Sequence, residues 1–202
     1  MRTTLQLALA FAALGIALPG DAAEPESEWL LSEFEWGDSM ALVDESVRVA
    51  PNFRCTLIGH RCALASAIVD GEELLVVFGY YRRGLYRIFV GTPELGLFSP
   101  HLKRIWELLA AFMIREKGPP EKEAPFPDLR EVRPKSPSVT HFWKLPDQEI
   151  RLEISRHERK YKVGVVFLDP VRAAARREGK RAAEAAAATE AADAGAQPNG
   201  GP

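Results

Sequence analysis

Six short segments with the pattern of β-strands, arranged in two groups of three, limit the possible folds of this chain most strongly. In the first group, residues 63–69 are apolar, residues 74–80 are rich in β-branched and aromatic side chains, and residues 85–90 alternate. Asp70-Gly71 and Arg82-Arg83-Gly84 separate these segments as tight turns. The alternation predicts two faces for the third segment, one with Leu85, Arg87 and Phe89 and the other with Tyr86, Ile88 and Val90.

The second group of strand-like segments has the same organisation. Residues 139–145 contain two aromatic side chains, residues 150–155 alternate between apolar and polar side chains, and residues 161–167 repeat that alternation. Pro146-Asp147-Gln148 marks the first turn of this group. Short turns join neighbouring strands when these run antiparallel. The sequence therefore predicts two antiparallel three-stranded meanders, which together make about six strands.

A helix is predicted before each meander. The first begins at Asp38 or Ser39, since either side chain can accept a hydrogen bond from a free backbone N–H, and it ends near Val49. The second has Ser99 as its cap and Pro100 in its first turn, and it carries a continuous apolar stripe. The order of elements predicts an α+β fold, a two-layer sandwich in which an antiparallel sheet of about six strands has two helices packed on one face.

The two ends of the chain differ in composition from this predicted domain. Residues 1–23 combine a positive charge, an apolar run and small residues, which is the pattern of a secretory signal peptide. An uncleaved membrane anchor is the alternative, but the run is shorter than the ~20 residues of a spanning helix. Residues 24–170 are predicted to form a single α+β domain, and residues 171–202 an Ala-rich tail that is partly helical or disordered. The mature protein is expected to be periplasmic or secreted, without a transmembrane helix.

Cys55 and Cys62 are the two cysteines of the chain. An even count favours a disulfide in an oxidising compartment, and this bond would stabilise the fold by roughly 2 to 2.5 kcal/mol through the entropy of the unfolded chain. Two free thiols are an alternative, and a zinc site with His60 lacks a fourth ligand and a known spacing. The spacing is not Cys-x-x-Cys, which disfavours redox catalysis, but a disulfide-linked or redox-linked role remains a hypothesis.

Gly37-Asp38-Ser39 resembles the serine motif of the hydrolases named for a Gly-Asp-Ser-Leu signature. That family takes its general base from an Asp-x-x-His near the C-terminus. In this chain Met40 replaces the leucine, and the nearest match to the second motif is Asp169-Pro170-Val171-Arg172, where an arginine stands in place of the base. We therefore predict that Asp38 or Ser39 caps a helix, with an envelope serine hydrolase that uses Ser39 as the alternative.

The sequence gives no catalytic, cofactor-binding or metal-binding constellation. The histidines have no recognisable metal spacing, and they are His60, His101, His141 and His157. The carboxylates are scattered along polar faces, so no acid/base pair can be nominated. We predict that the protein is not an enzyme and has no cofactor.

Two predicted hairpin turns are basic. One contains Arg82 and Arg83, and the other contains Arg156, Arg159 and Lys160. If the meanders lie side by side, both turns lie at one end of the sheet and form a patch for lipid head groups or another anionic envelope polymer. The alternative is that these charges only keep the sheet edges soluble. The net charge of −2 gives no general reason to expect nucleic acid as a partner.

Four landmarks follow one another between residues 33 and 170. They are Trp36-Gly37-x-Ser39 at a helix start, a meander, a helix that ends at Gly118-Pro119, and a strand with Trp143. This order resembles that of uncharacterised small exported proteins of Gram-negative bacteria, and the resemblance implies a periplasmic location. We predict a non-catalytic binding or envelope-associated module, whose partner is another envelope protein or an anionic envelope component.

Overall fold

The computed structural model describes residue 31 and residues 33–58, 61–96 and 100–195. The predicted signal peptide, His60, the predicted cap Ser99 and residues 197–202 lie outside the described residues. Within them the chain forms three helices and nine strands, in the order α1 (Met40–Val49), β1 (Phe53–Ile58), β2 (Arg61–Val69), β3 (Glu72–Tyr81), β4 (Gly84–Gly91), β5 (Leu95–Gly96), α2 (Pro100–Lys117), β6 (Lys122–Glu123), β7 (Ser138–Lys144), β8 (Glu149–His157), β9 (Lys160–Leu168) and α3 (Pro170–Gly195).

All nine strands belong to one open antiparallel sheet, which confirms the predicted α+β class. The strand order is β1-β2-β3-β4-β9-β8-β7-β6, and β5 pairs with β9 beyond the end of β4. The two predicted meanders are β2-β3-β4 and β7-β8-β9, and they join where β4 pairs with β9. The prediction of about six strands is too low. β1 extends the first meander, and β5 and β6 have only two residues each, so they show no alternation of their own.

One face of the sheet, the inner face, carries the main hydrophobic core. The buried residues of β4, β8 and β9 on this face lie mostly at alternate positions, and they are Leu85, Ile88, Val90, Ile150, Leu152, Ile154, Tyr161, Val163, Val165 and Phe167. The helices add apolar residues at helical spacing, which are Val43 and Val47 of α1 and Leu102, Ile105, Leu109 and Met113 of α2. Each fully buried Leu, Ile or Val side chain contributes about 1.5–3 kcal/mol. Both helices thus bury their apolar faces in the core that covers the inner face.

The two helices contact different parts of the sheet. α1 packs mainly on β1 and β2, whereas α2 packs mainly on β9 and β8. β3 and β4 lie between these two pairs of strands. The segment before α1 reaches this region, where the ring of Phe34 lies 5.4 Å from that of Phe53 and 5.2 Å from that of Phe78.

β4 departs from the predicted alternation at Tyr86. Gly79 of β3 is opposite Arg87, but Tyr80 is opposite Leu85, so Tyr86 has no partner in this ladder. Such an extra residue is a β-bulge, and it reverses the alternation of the side chains beyond it. The predicted faces of two residues are therefore wrong, because Leu85 packs in the inner core and Tyr86 lies on the opposite, outer face.

α3 begins on the outer face of the sheet. Its Ala173 is buried in a small cluster with four sheet residues, Tyr86, Phe89, Val166 and Leu168. The hydroxyl of Tyr81 donates a hydrogen bond to the carbonyl of Ala175 at 3.3 Å. Residues 176–188 are all exposed, so the helix leaves the sheet after its first turns. No helix in the described part of the chain has the length and apolar character needed to cross a membrane.

Candidate functional site

Ser39, the nucleophile of the hydrolase hypothesis, caps α1. Its Oγ accepts a hydrogen bond from the backbone N–H of Leu42 at 3.4 Å. Asp38 has a different role, because its Oδ2 accepts a hydrogen bond from the backbone N–H of Glu35 at 2.9 Å and closes the preceding turn. Of the two residues predicted as caps, Ser39 is the one that caps the helix.

Gly37 lies against the guanidinium of Arg172 at the start of α3. Its φ is +104°, and a Cβ at this position would lie 2.6 Å from Nη2 of Arg172. The N–H of Gly37 donates to the carbonyl of Leu85 at 2.9 Å, and Oδ2 of Asp169 lies 3.1 Å from Nε of Arg172. The structure thus places Gly37-Asp38-Ser39 close to Asp169 and Arg172, the two residues that correspond to the Asp and the His of the family's Asp-x-x-His motif. A guanidinium has no lone pair for the proton of a serine, so this contact fixes the backbone before α1.

The histidines in the described ranges have polar partners other than the serine at the α1 cap. Nδ1 of His101 lies 3.1 Å from Nη2 of Arg104. Nδ1 of His157 lies 3.7 Å from a carboxylate oxygen of Glu94. Over the same ranges, no group of three or more His, Cys, Asp or Glu side chains is placed to hold a metal ion.

Thr140 and His141 belong to a buried polar network on β7. Oγ1 of Thr140 accepts a hydrogen bond from Nε1 of Trp106 at 2.9 Å and donates its only proton to the carbonyl of Leu152 at 3.1 Å. Nδ1 of His141, 3.1 Å from the same oxygen, must therefore be the donor of that contact. Nε2 of His141 then faces Glu123 at 3.8 Å. Burial lowers the pKa of His141, and the negative charge of Glu123 partly opposes this.

Glu153 places a charge on the outer face of β8. Only 7% of the residue is exposed, and its Oε1 lies 3.6 Å from Nη2 of Arg87. Burial raises the pKa of Glu153, and the positive charges of Arg87 and Arg151 partly oppose this. Arginine side chains stabilise a carboxylate but do not exchange protons with it, so this cluster is an ion pair and not an acid/base pair.

Cys55 and Cys62 lie on neighbouring strands. Cys55 of β1 is opposite Ala65, and Leu57, two residues further along β1, is opposite Cys62 of β2. The two cysteines therefore lie on paired strands, two positions apart along the ladder. Cys55 packs against the core, and the described residues include no free cysteine.

The two basic turns lie at opposite ends of the sheet. Because β4 runs antiparallel to β9, Arg87 is opposite Leu168 and Gly91 is opposite Gly164. The β3–β4 turn is therefore beside the end of β9, whereas the β8–β9 turn precedes its start. β9 has nine residues, so at about 3.4 Å per residue the turns are roughly 30 Å apart. The prediction that five basic residues form a single patch is therefore wrong. The five residues are Arg82, Arg83, Arg156, Arg159 and Lys160.

Several charges around the β8–β9 turn interact within the protein. Nε of Arg156 donates to the carbonyl of Glu158 at 2.8 Å, and its guanidinium lies 5.8 Å from the ring centroid of Tyr161. Glu94 lies 3.4 Å from Nζ of Lys162. Arg156 and Lys162 therefore have partners within the protein at this end of the sheet.

At the β3–β4 turn, α3 adds further basic side chains. Tyr81 connects the two elements, because its hydroxyl bonds to Ala175 and lies 3.0 Å from the position of a Cβ on Gly179. The guanidinium of Arg82 lies 5.3 Å from the ring centroid of Tyr81. We define the basic surface as the six exposed residues of this region, Arg82, Arg83, Arg176, Arg177, Lys180 and Arg181.

The basic surface has a strong excess of positive charge. Within residues 176–184 of α3 the basic residues are accompanied by two carboxylates, Glu178 and Glu184, and these two leave four net positive charges on the six-residue basic surface. Arg172 is neutralised by Asp169. The sequence prediction includes only the two arginines of the turn, although the basic run at residues 176–181 is a signal for the rest.

The chain matches no protein-family model, and neither a curated protein nor a solved structure is found to be similar to it.

Proposed function

We propose that this protein is an exported, non-catalytic envelope module that binds an anionic envelope component through the basic surface. One observation carries the proposal: the β3–β4 turn and residues 176–181 of α3, which Tyr81 connects, together carry six exposed Lys and Arg residues. The chain as a whole has a net charge of −2, so its charge is distributed unevenly. A local field of this kind attracts an anionic partner even when the total charge is slightly negative.

The β3–β4 turn holds two of these charges in a defined backbone conformation. Arg82 and Arg83 have φ values of 49° and 68°, as the two central residues of a type I′ turn do. The contacts of α1 and α2 with the inner face support a two-layer sandwich as the body of the protein. The basic surface belongs to the other side, where α3 starts, so a partner can bind there without disturbing the core.

Export and a disulfide form part of the same proposal. The signal-like residues 1–23 and the resemblance to small exported proteins support a periplasmic or secreted location. In such a compartment we infer a bond between Cys55 and Cys62, supported by the even cysteine count and by the place of both residues on paired strands. Titration of thiols in the denatured, non-reduced exported protein should find none. Two reactive thiols would contradict the disulfide.

Phosphate-bearing head groups fit the basic surface well. The planar guanidinium of arginine binds phosphate oxygens with two parallel hydrogen bonds. Each Lys or Arg near an anionic lipid surface contributes about 1 kcal/mol. Because salt screens exposed charges over about 8–10 Å, binding should weaken as the ionic strength rises.

Vesicle co-sedimentation tests the proposal. The exported protein should sediment with vesicles that contain phosphatidylglycerol and remain in solution with phosphatidylcholine alone. The double variant Arg82→Gln/Arg83→Gln should bind less. The matched control is Arg159→Gln/Lys160→Gln, which removes the same charge at the opposite end of the sheet and should bind like the wild type.

Two results would contradict this function. One is equal loss of binding in both double variants, because net charge rather than the basic surface would then control association. The other is unchanged binding in the Arg82→Gln/Arg83→Gln variant. If vesicles do not bind but heparin binds with the expected dependence on Arg82 and Arg83, the anionic component is a polymer and not a lipid.

A further inference from the structure

A cavity of about 530 Å³ opens on the inner face of the sheet. It lies between the regions covered by the two helices, since α1 packs mainly on β1 and β2 and α2 mainly on β9 and β8. Ile88 of β4, with 1% of its surface exposed, lies at the bottom. Phe34 and Trp36, from the segment before α1, supply aromatic walls. Ile88, Phe34 and Trp36 therefore give the cavity an apolar wall that is continuous with the core.

The mouth of the cavity is charged. Glu35 and Asp147 line it and are exposed, and Lys117, the last residue of α2, also lines it. The C-terminus of a helix carries a partial negative charge from the aligned peptide dipoles. Among the lining residues, two carboxylates and this helix end oppose one ammonium group, so the charge of the lining favours a cation.

We propose that this cavity binds a small amphipathic cation, an organic amine or quaternary ammonium with an apolar body. The volume is within the range of about 300–1,000 Å³ that is usual for small-molecule sites. The apolar body would contact Ile88 and Phe34, and the cationic group would lie among Trp36, Glu35 and Asp147. An aromatic face close to carboxylates is a combination that recognises ammonium ions. The proposal is independent of the basic surface, which attracts the opposite charge.

Calorimetric titration and NMR with three probes that share a hexyl chain test this site. Hexyltrimethylammonium should bind more tightly than neutral hexanol, and it should shift the resonances of the Trp36 indole and the Ile88 methyl groups. Glu35→Gln and Asp147→Asn should each weaken its binding about two- to fivefold, as expected for exposed charges, while hexanol binding stays the same. Hexyl sulfate should not shift these resonances.

The matched control is Glu121→Gln/Glu131→Gln, which removes two exposed carboxylates that do not line the cavity. This variant should bind hexyltrimethylammonium like the wild type. The double variant Glu35→Gln/Asp147→Asn replaces exposed groups by neutral ones of the same shape, and its circular dichroism spectrum should be that of the wild type. Equal affinity of the two double variants, no preference for the cation over hexanol, or shifts centred away from Trp36 and Ile88 would each overturn the proposal.

Discussion

The ring of Phe89 on β4 lies directly against Gly164 on β9. A Cβ at position 164 would lie 2.4 Å from Cε2 of that ring and 2.7 Å from the carbonyl oxygen of Val90. Gly91, which is opposite Gly164, is equally crowded, since its Cβ would lie 2.2 Å from the carbonyl oxygen of Val163. The pairing of β4 with β9 joins the two meanders. Because Gly91 and Gly164 have no side chains, the ring of Phe89 can cover this junction.

Gly164→Ala should destabilise this junction. The added methyl group forces the Phe89 ring or the β4 backbone to move, and such overpacking costs about 1–3 kcal/mol. Gly96→Ala is the matched control, because Gly96 is also in a strand but has no atom within 4 Å of its Cβ position. Its unfolding free energy should change by less than about 0.5 kcal/mol. Urea denaturation measures both, and equal midpoints for the two variants would contradict the role of the Phe89 contact.

The long strands and the amphipathic helices can be predicted from the sequence because their periodicity is local. Asp70 and Gly71, for example, form the predicted hairpin turn, with φ values of 46° and 82°. The pairing of β4 with β9 is not local. It depends on contacts such as Phe89 with Gly164, which neither strand reveals by itself. The bulge at Tyr86 also has no signal in the alternation of β4, because it is defined by the register with β3.

Ser39→Ala should lower stability without affecting any reaction. The substitution removes the hydrogen bond to the N–H of Leu42, and loss of an N-cap typically costs about 1 kcal/mol. Thermal melts should show a lower midpoint than for Ser136→Ala, a control at an exposed loop position. A screen with p-nitrophenyl acetate should give the same hydrolysis for wild type and variant. Loss of hydrolysis with an unchanged melting midpoint would instead support the serine hydrolase.

The candidate site is only partly visible in the sequence, for a similar reason. Arg82 and Arg83 are recognised from the composition of their turn. Their neighbours in space depend on the direction of β4 relative to β9, and that direction puts the turn of Arg159 at the far end. The basic residues of α3 join the site through contacts of Tyr81 and Tyr86. These contacts involve side chains almost a hundred residues apart, and no local pattern predicts them.

Glu153 should make stability depend on pH in the acidic range. Burial raises its pKa above the ordinary value of 4.5, so the folded protein holds this proton more tightly than the unfolded chain does. The contribution of Glu153 to stability is therefore fully present below about pH 4.5 and is lost as the pH rises through the folded-state pKa. Glu153→Gln keeps a neutral side chain at every pH and should remove this loss.

Denaturation series at several pH values measure the effect of Glu153. Between pH 4.5 and pH 7, the stability of Glu153→Gln relative to wild type should increase with pH. The control Glu131→Gln is at an exposed loop position. Its free energy of unfolding should change with pH in the same way as that of the wild type. A relative stability of Glu153→Gln that falls over this range would mean that Arg87 lowers the pKa more than burial raises it.

His141 should have the opposite effect on stability. Burial lowers its pKa below the ordinary value of 6.5, so the folded protein binds this proton less tightly than the unfolded chain. Its contribution to stability is present above pH 6.5 and is lost as the pH falls through the folded-state pKa. Because Nδ1 donates to Thr140, a second proton has to enter at Nε2, which faces Glu123 at 3.8 Å.

NMR titration of the His141 ring tests both the pKa and the tautomer. The neutral ring should carry its proton on Nδ1. Glu123→Gln should lower the pKa of His141 further, by a fraction of a pH unit, because the Glu123 side chain is 67% exposed and solvent screens its charge. Glu131→Gln should leave that pKa unchanged. A neutral ring protonated on Nε2 would contradict the network, because Thr140 would then have to donate to both His141 and Leu152 with one proton.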